Sequence, residues 1–189
     1  MFGNRFGTAR ETNRTVMLEE SQLPAVPNSA TGYIEDPLLK IRVMIIDADF
    51  YKGIHDNFYS RFGSGASTIL YEMGVGYGEI VAKSINEMGA RRLEVYKKFI
   101  ERGKRQGYGE FTVPILRSII TGMRGEARIY LKDSFFAVAV GTTGKSECWI
   151  VAGMIAGAAK NILGKDHICV EEKCISKGDS HCEFYLKSS

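Results

Sequence analysis

Apolar residues recur at two different periods along this chain, and the change between them predicts its architecture. From Asp47 to Gln106 the spacing is helical. Phe50, Ile54, Phe58 and Phe62 predict a helix over Asp47–Phe62, with Asp47 or Asp49 as its cap. Ile69, Leu70, Met73, Tyr77, Ile80, Val81, Ser84, Ile85 and Met88 form one long stripe of a second helix. A third, Ala90–Gln106, buries Leu93, Tyr96, Phe99 and Ile100. Ahead of them Ile41–Asp47 is rich in β-formers and reads as the first core strand. Beyond Gly109 the period falls to two: Phe111, Val113 and Ile115 alternate with polar neighbours, and so do Ala127, Ile129 and Leu131. Phe135–Val140 is a continuous apolar run, as for a strand covered on both faces. The short polar links 122–125 and 132–134 suggest an antiparallel meander. A last helix, Glu147–Leu163, is capped by Ser146 and ended by Gly164, and Gly153 and Gly157 let it lie close to the sheet. Residues 167–174 and 181–187 then read as two strands. Helices first and strands later make an α+β fold, helices packed on an antiparallel sheet with a C-terminal hairpin.

Residues 1–31 carry two of the four prolines and a polar Glu-Glu-Ser-Gln run, so they are expected to form a loosely ordered extension before one domain, 32–189. Within the extension the tetrad Thr15–Leu18 can add an edge strand. The composition, 44% hydrophobic and 25% charged, is that of a soluble protein with a core. A net charge of +3 argues for no nucleic-acid partner by itself. The third helix holds seven basic against two acidic residues, but it lacks aromatic interleaving and a reading motif, so a solvated face is expected. The N-terminus lacks the apolar core of a signal peptide, and the longest apolar stretch, Trp149–Ala159, is too short to span a bilayer. A cytoplasmic location with reduced thiols is the expectation.

All four cysteines (148, 169, 174, 182) fall after residue 147. Cys148 sits in the first turn of the last helix, where the dipole favours a thiolate. Glu171 and Cys174 end one strand, and Cys182 opens the next, across a turn containing Gly178 and Asp179. Residues 171 and 174 aim at one point only if the strand ends or bulges there. Cys148, Glu171, Cys174 and Cys182 would together make a closed tetrahedral zinc site of three sulfurs and one oxygen, with net charge −2 partly offset by Lys173 and Lys177. The alternative is four reduced cysteines packed as small hydrophobes, with Glu171 at the surface. Cys169 is an ambiguous fifth candidate, and His167 and His181 are weaker ones.

The strings Cys148-Trp-Ile-Val-Ala-Gly153-Met-Ile-Ala-Gly157 and Val170-Glu171-Glu-Lys-Cys174-Ile-Ser-Lys-Gly178-Asp179-Ser-His-Cys182-Glu-Phe184 resemble the four-vinyl-reductase domain family. The specific match covers roughly residues 141–187. The resemblance implies a fold similar to that of the TRAPP vesicle-tethering subunits, a homodimer, and zinc held by Cys148, Glu171, Cys174 and Cys182. It also implies a buried small-molecule pocket between helices and sheet. Relatives include an accessory protein of bacteriochlorophyll synthesis and sensor domains for phenolic or aromatic hydrocarbons. The phenol sensors hold the ligand hydroxyl with a histidine and a tryptophan upstream of the zinc cysteine. Here no histidine lies between His55 and His167, and the only tryptophan is Trp149.

Three functions follow as expectations. The first is a stand-alone module binding or sensing an apolar or aromatic ligand, with Met73, Gly74, Tyr77 and Gly78 as candidate pocket lining. Simple core packing explains those four as well, and Gly74-Val-Gly-Tyr-Gly78-Glu fails the dinucleotide fingerprint. The second is a reductase for a vinyl tetrapyrrole, which would need a nicotinamide or flavin. The third is an interaction scaffold using the basic helix, with Arg102 and Arg105 as its surface charges.

Overall fold

The computed structural model describes residues 31–113 and 126–189; the tetrad Thr15–Leu18 lies outside them. A short hairpin, β1 (Ile34–Glu35) with β2 (Arg42–Val43), precedes three helices: α1 (Ala48–Phe62), α2 (Gly65–Glu87) and α3 (Arg92–Arg105). Strands β3 (Glu110–Thr112) and β4 (Glu126–Lys132), a short helix α4 (Phe135–Val140) and α5 (Trp149–Leu163) follow. Strands β5 (His167–Lys173) and β6 (Cys182–Ser188) complete a four-stranded antiparallel sheet of order β3-β4-β6-β5. The fold is α+β, with helices packed against this sheet. Inward residues alternate as the period of two demands: Ala127, Ile129 and Leu131 on β4, Cys182, Phe184 and Leu186 on β6.

Asp47 caps α1, its carboxylate accepting from the Phe50 N–H at 2.7 Å. The helix buries Tyr51 and His55, whereas Phe50 and Phe62 are 52% and 54% exposed. The strand expected over Ile41–Asp47 shrinks to Arg42–Val43, and Met44 and Ile45 are 71% and 73% exposed. The β-prone run thus meets no sheet to pack on; propensity alone does not place a strand in a core. The apolar run Phe135–Val140 is helical rather than a strand. Ser134 accepts from the Ala137 N–H and opens the turn, Asp133 before it adopts φ 52°, and Gly141 closes the helix.

Helices α2 and α5 touch through glycine. A Cβ at Gly74 or Gly78 would lie 2.2 Å from the carbonyl oxygen of Ile150 or Met154, and one at Gly153 or Gly157 within 2.1 Å of the oxygen of Tyr71 or Val75. The α5 glycines therefore admit α2, not the sheet as expected. Only glycine permits this approach, because a side chain would force two backbones apart. Gly76, on the exposed side, has nothing within 4 Å. Gly153→Ala is expected to lower stability by about 2–3 kcal/mol, while Gly76→Ala raises it by about 0.5–1 kcal/mol. Thermal denaturation of the two variants reads both signs.

Candidate metal centre and the adjacent cavity

Four side chains from three separated segments meet at the start of α5. The donor atoms of Cys148, Glu171, Cys174 and Cys182 all lie within 4.8 Å of one another, and all four residues are buried. Each arrives by a local device. Cys148 occupies the N-cap position of α5, and Ser146, expected there, instead donates to the Glu171 carbonyl at 3.3 Å. The β5–β6 register shifts between Glu171 and Lys173, which is the irregularity that lets residues 171 and 174 converge. A 3₁₀ turn, Ile175–Lys177, follows Cys174 and ends at Gly178 with φ 99°. Asp179 holds that turn by accepting the Cys174 N–H at 2.9 Å.

The sulfur of Cys182 lies 3.6 Å from that of Cys148 and 3.9 Å from that of Cys174. A disulfide needs about 2.05 Å, and all four cysteines are free. A tetrahedron of sulfurs about 2.3 Å from a common centre has edges of about 3.8 Å, so the spacing fits an ion. The carboxylate supports the same reading. Glu171 Oε2 accepts the Cys148 N–H at 3.0 Å, but Oε1 is buried without a hydrogen-bond partner. An unpaired carboxylate oxygen beside three thiols is an unfinished coordination set. This buried Cys3Glu cluster can hold a metal ion.

The protein alone leaves the cluster one favoured charge. Hydrogen bonds from Cys148 and then Cys182 hold the Cys174 thiol far below its ordinary value, and the Glu147 backbone adds to them. The same contacts with Cys174 and Cys182, then burial, push Cys148 well up. Burial, with the charge at Cys174 second, raises Glu171 to about 8. Cys174 is thus a thiolate that its neighbours share. The lysines expected to offset the site's charge turn elsewhere: Lys173 pairs with Glu183 at 2.9 Å, and Lys177 donates to the Glu172 carbonyl.

A second polar cluster abuts the first. His55 on α1 meets Glu147 Oε2 at 3.0 Å and Asp56 at 3.1 Å, and the Thr143 hydroxyl donates to Glu147 Oε1 at 2.9 Å. Since Glu147 immediately precedes Cys148, this contact ties α1 to the backbone of the thiol cluster. No spacing rule marks His55 for this role, because its partner is 92 residues away. Cys169 is buried outside the four-donor cluster, its N–H donating to the Tyr71 hydroxyl. His167 and His181 lie outside it too, beside the Lys165 carbonyl and Ser180.

An apolar cavity of about 370 Å³, partly open to solvent, lies between α3, α5 and the sheet. Tyr96, Phe99, Ile100 and Gly103 line it from α3; Met154, Ile155 and Ala158 line it from α5. Its trace in the sequence is the spacing 96, 99, 100, 103 along one helix face. Of the residues expected to line a pocket, Gly74 and Gly78 face the α5 backbone, Met73 is exposed, and Tyr77 accepts from Arg102; none borders this cavity. Arg102, expected at the surface, is buried and paired with Asp36 at 2.8 Å.

Residues 128–188 match the family model of the vinyl-4-reductase domain, and the chain belongs to that domain family. An uncharacterized protein of Methanocaldococcus jannaschii is 29% identical over 126 residues, spanning 66% of each chain. Among solved structures, the phenol-responsive sensory domain of the transcription activator PoxR with phenol superposes with TM-score 0.74 at 18% identity, covering 85% of this chain and 83% of that one. A vinyl-4-reductase family protein from M. jannaschii gives TM-score 0.58 at 17% identity, covering 78% and 84%. A trafficking protein particle complex subunit 3 from Naegleria fowleri, covalently bound to palmitic acid, gives 0.57 at 16%, covering 75% and 92%. At these identities the structural likenesses concern the fold.

Removing His55 strands the Glu147 carboxylate. His55→Leu is expected to destabilise the protein by roughly 3 kcal/mol, and adding Glu147→Leu to recover part of that loss. Urea denaturation of the two single variants and the double variant measures the coupling.

Proposed function

We propose that this chain is a small-molecule-binding module in which zinc, held by Cys148, Glu171, Cys174 and Cys182, braces the wall of an apolar ligand cavity. The observation that carries this reading is the cavity itself, apolar on both walls and bordered by the helix whose first residue belongs to the four-donor cluster. Three cysteine sulfurs and one carboxylate oxygen are a donor set suited to zinc, and four protein donors leave it no open position for Lewis-acid work. The ion would act as a cross-link between the start of α5 and the β5–β6 hairpin. The PoxR domain, crystallised with phenol, and the palmitate-bound trafficking subunit share this fold and support an aromatic or apolar ligand. Residues 32–189 would act as one sensing unit. Reduced thiols fit a reducing compartment. No helix among the described residues is long and apolar enough to cross a membrane.

The module would work as a homodimer. Helix α1 buries only Tyr51 and His55, and leaves Phe50 and Phe62 half exposed. Met73 and Ile80 of α2 are also exposed, and an apolar surface of this kind fits a second copy.

Metal analysis should give about one zinc per chain. Cys174→Ser is expected to lose the ion and lower the melting temperature; a metal-free protein with an unchanged cooperative melt would overturn the brace. Native mass spectrometry of the purified chain is expected to show a dimer with a co-purified small molecule. Phe50→Glu with Phe62→Glu should convert that dimer to monomer, and a dimer that persists would move the interface elsewhere.

A further inference from the structure

The polar side chains beside the cavity are not all satisfied. Arg102 (2% exposed) and Asp36 (4%) form a buried ion pair through Nε and Oδ2, 2.8 Å apart. Arg102 Nη1 donates to the Tyr77 hydroxyl at 2.7 Å, and Gln106 Nε2 donates to Asp36 Oδ2 at 3.3 Å. The other Asp36 oxygen accepts from the Leu38 and Leu39 N–H groups. Two atoms remain: Arg102 Nη2 and Gln106 Oε1 are buried with no hydrogen-bond partner.

Their position links them to the cavity. Residues 99, 102 and 106 follow one stripe, which runs beside the cavity-lining stripe of 96, 100 and 103. Tyr108 lines the cavity, and its hydroxyl lies beside that of Tyr77, the acceptor of the Arg102 fork. One unpaired donor and one unpaired acceptor therefore flank an otherwise apolar recess.

We propose that the cavity ligand is an uncharged, ring-sized molecule bearing one hydroxyl, and that Arg102 Nη2 and Gln106 Oε1 read that hydroxyl. This rests on the ligand-binding reading of the cavity given above. A hydroxyl is the smallest group that both accepts, here from Nη2, and donates, here to Oε1. A hydrocarbon leaves both atoms unpaired, which is costly in a buried site. A carboxylate accepts from Nη2 but brings a charge that nothing neutralises, because Asp36 already balances Arg102. An ammonium group cannot accept from Nη2 at all. The pair thus selects by polarity, and the apolar walls select by size.

Toluene, p-cresol and p-toluate probe this on the whole chain by calorimetric titration. The unmodified protein is expected to bind p-cresol on the order of ten-fold more tightly than toluene, and p-toluate no better than toluene. In Gln106→Leu the ratio should fall towards one with toluene affinity unchanged. Arg102→Lys keeps the charge opposite Asp36 but removes the second arm of the fork, and should also lose the preference. Equal affinity for toluene and p-cresol, or a hydroxyl preference that survives both variants, overturns the proposal and leaves the cavity reading intact. Failure of all three compounds to bind overturns the cavity reading, and this inference with it.

Discussion

The convergence of four donors on one point constrains more of this structure than any other interaction. Cys148, Glu171, Cys174 and Cys182 come from a helix start, a bulged strand end, a turn and the next strand. Their meeting requires α5 to begin at Trp149, the β5–β6 ladder to slip between residues 171 and 173, and Gly178 to take φ 99°. None of these local choices is favourable for its own sake. Together they bring three sulfurs and an unpaired carboxylate oxygen into a buried volume too small for water-screened charge, which is where a bound cation has most effect.

Helix α5 transmits that constraint. Its first turn belongs to the donor cluster, Gly153 and Gly157 fit against α2, and Met154, Ile155 and Ala158 form a cavity wall. Because the α2 contact is backbone on backbone, the helix has little freedom to shift without separating from its neighbour. A fixed N-terminus therefore means a fixed cavity wall. His55, through Glu147, extends the same anchoring to α1, the helix with the most exposed aromatic surface.

Periodicity revealed the long helices and the alternating strands, because in those segments burial and spacing coincide. The donor cluster was also legible: an irregularity between residues 171 and 174 follows from strand geometry alone, and the structure has it. Phe135–Val140 was not, since six consecutive apolar residues fit a buried strand or a buried helical turn equally. Ile41–Asp47 misled because β-propensity records what fits a sheet, not whether a sheet is there. Arg102 read as a surface charge because its partner, Asp36, is 66 residues away and no spacing rule connects them. The glycines of α2 signalled a close approach, but which helix approaches is a tertiary fact. The cavity was missed because the stripe along α3 that lines it reads the same whether its partner fills the space or leaves it open.

The central claim is that a closed Cys3Glu zinc site braces the helix that walls the ligand cavity. X-ray absorption spectroscopy at the zinc edge of the purified chain tests it most directly. The account predicts three sulfur neighbours at about 2.3 Å and one oxygen at about 2.0–2.2 Å, with no further shell of water ligands. A coordination sphere with fewer than three sulfurs, or no zinc at all in the folded chain, would contradict it.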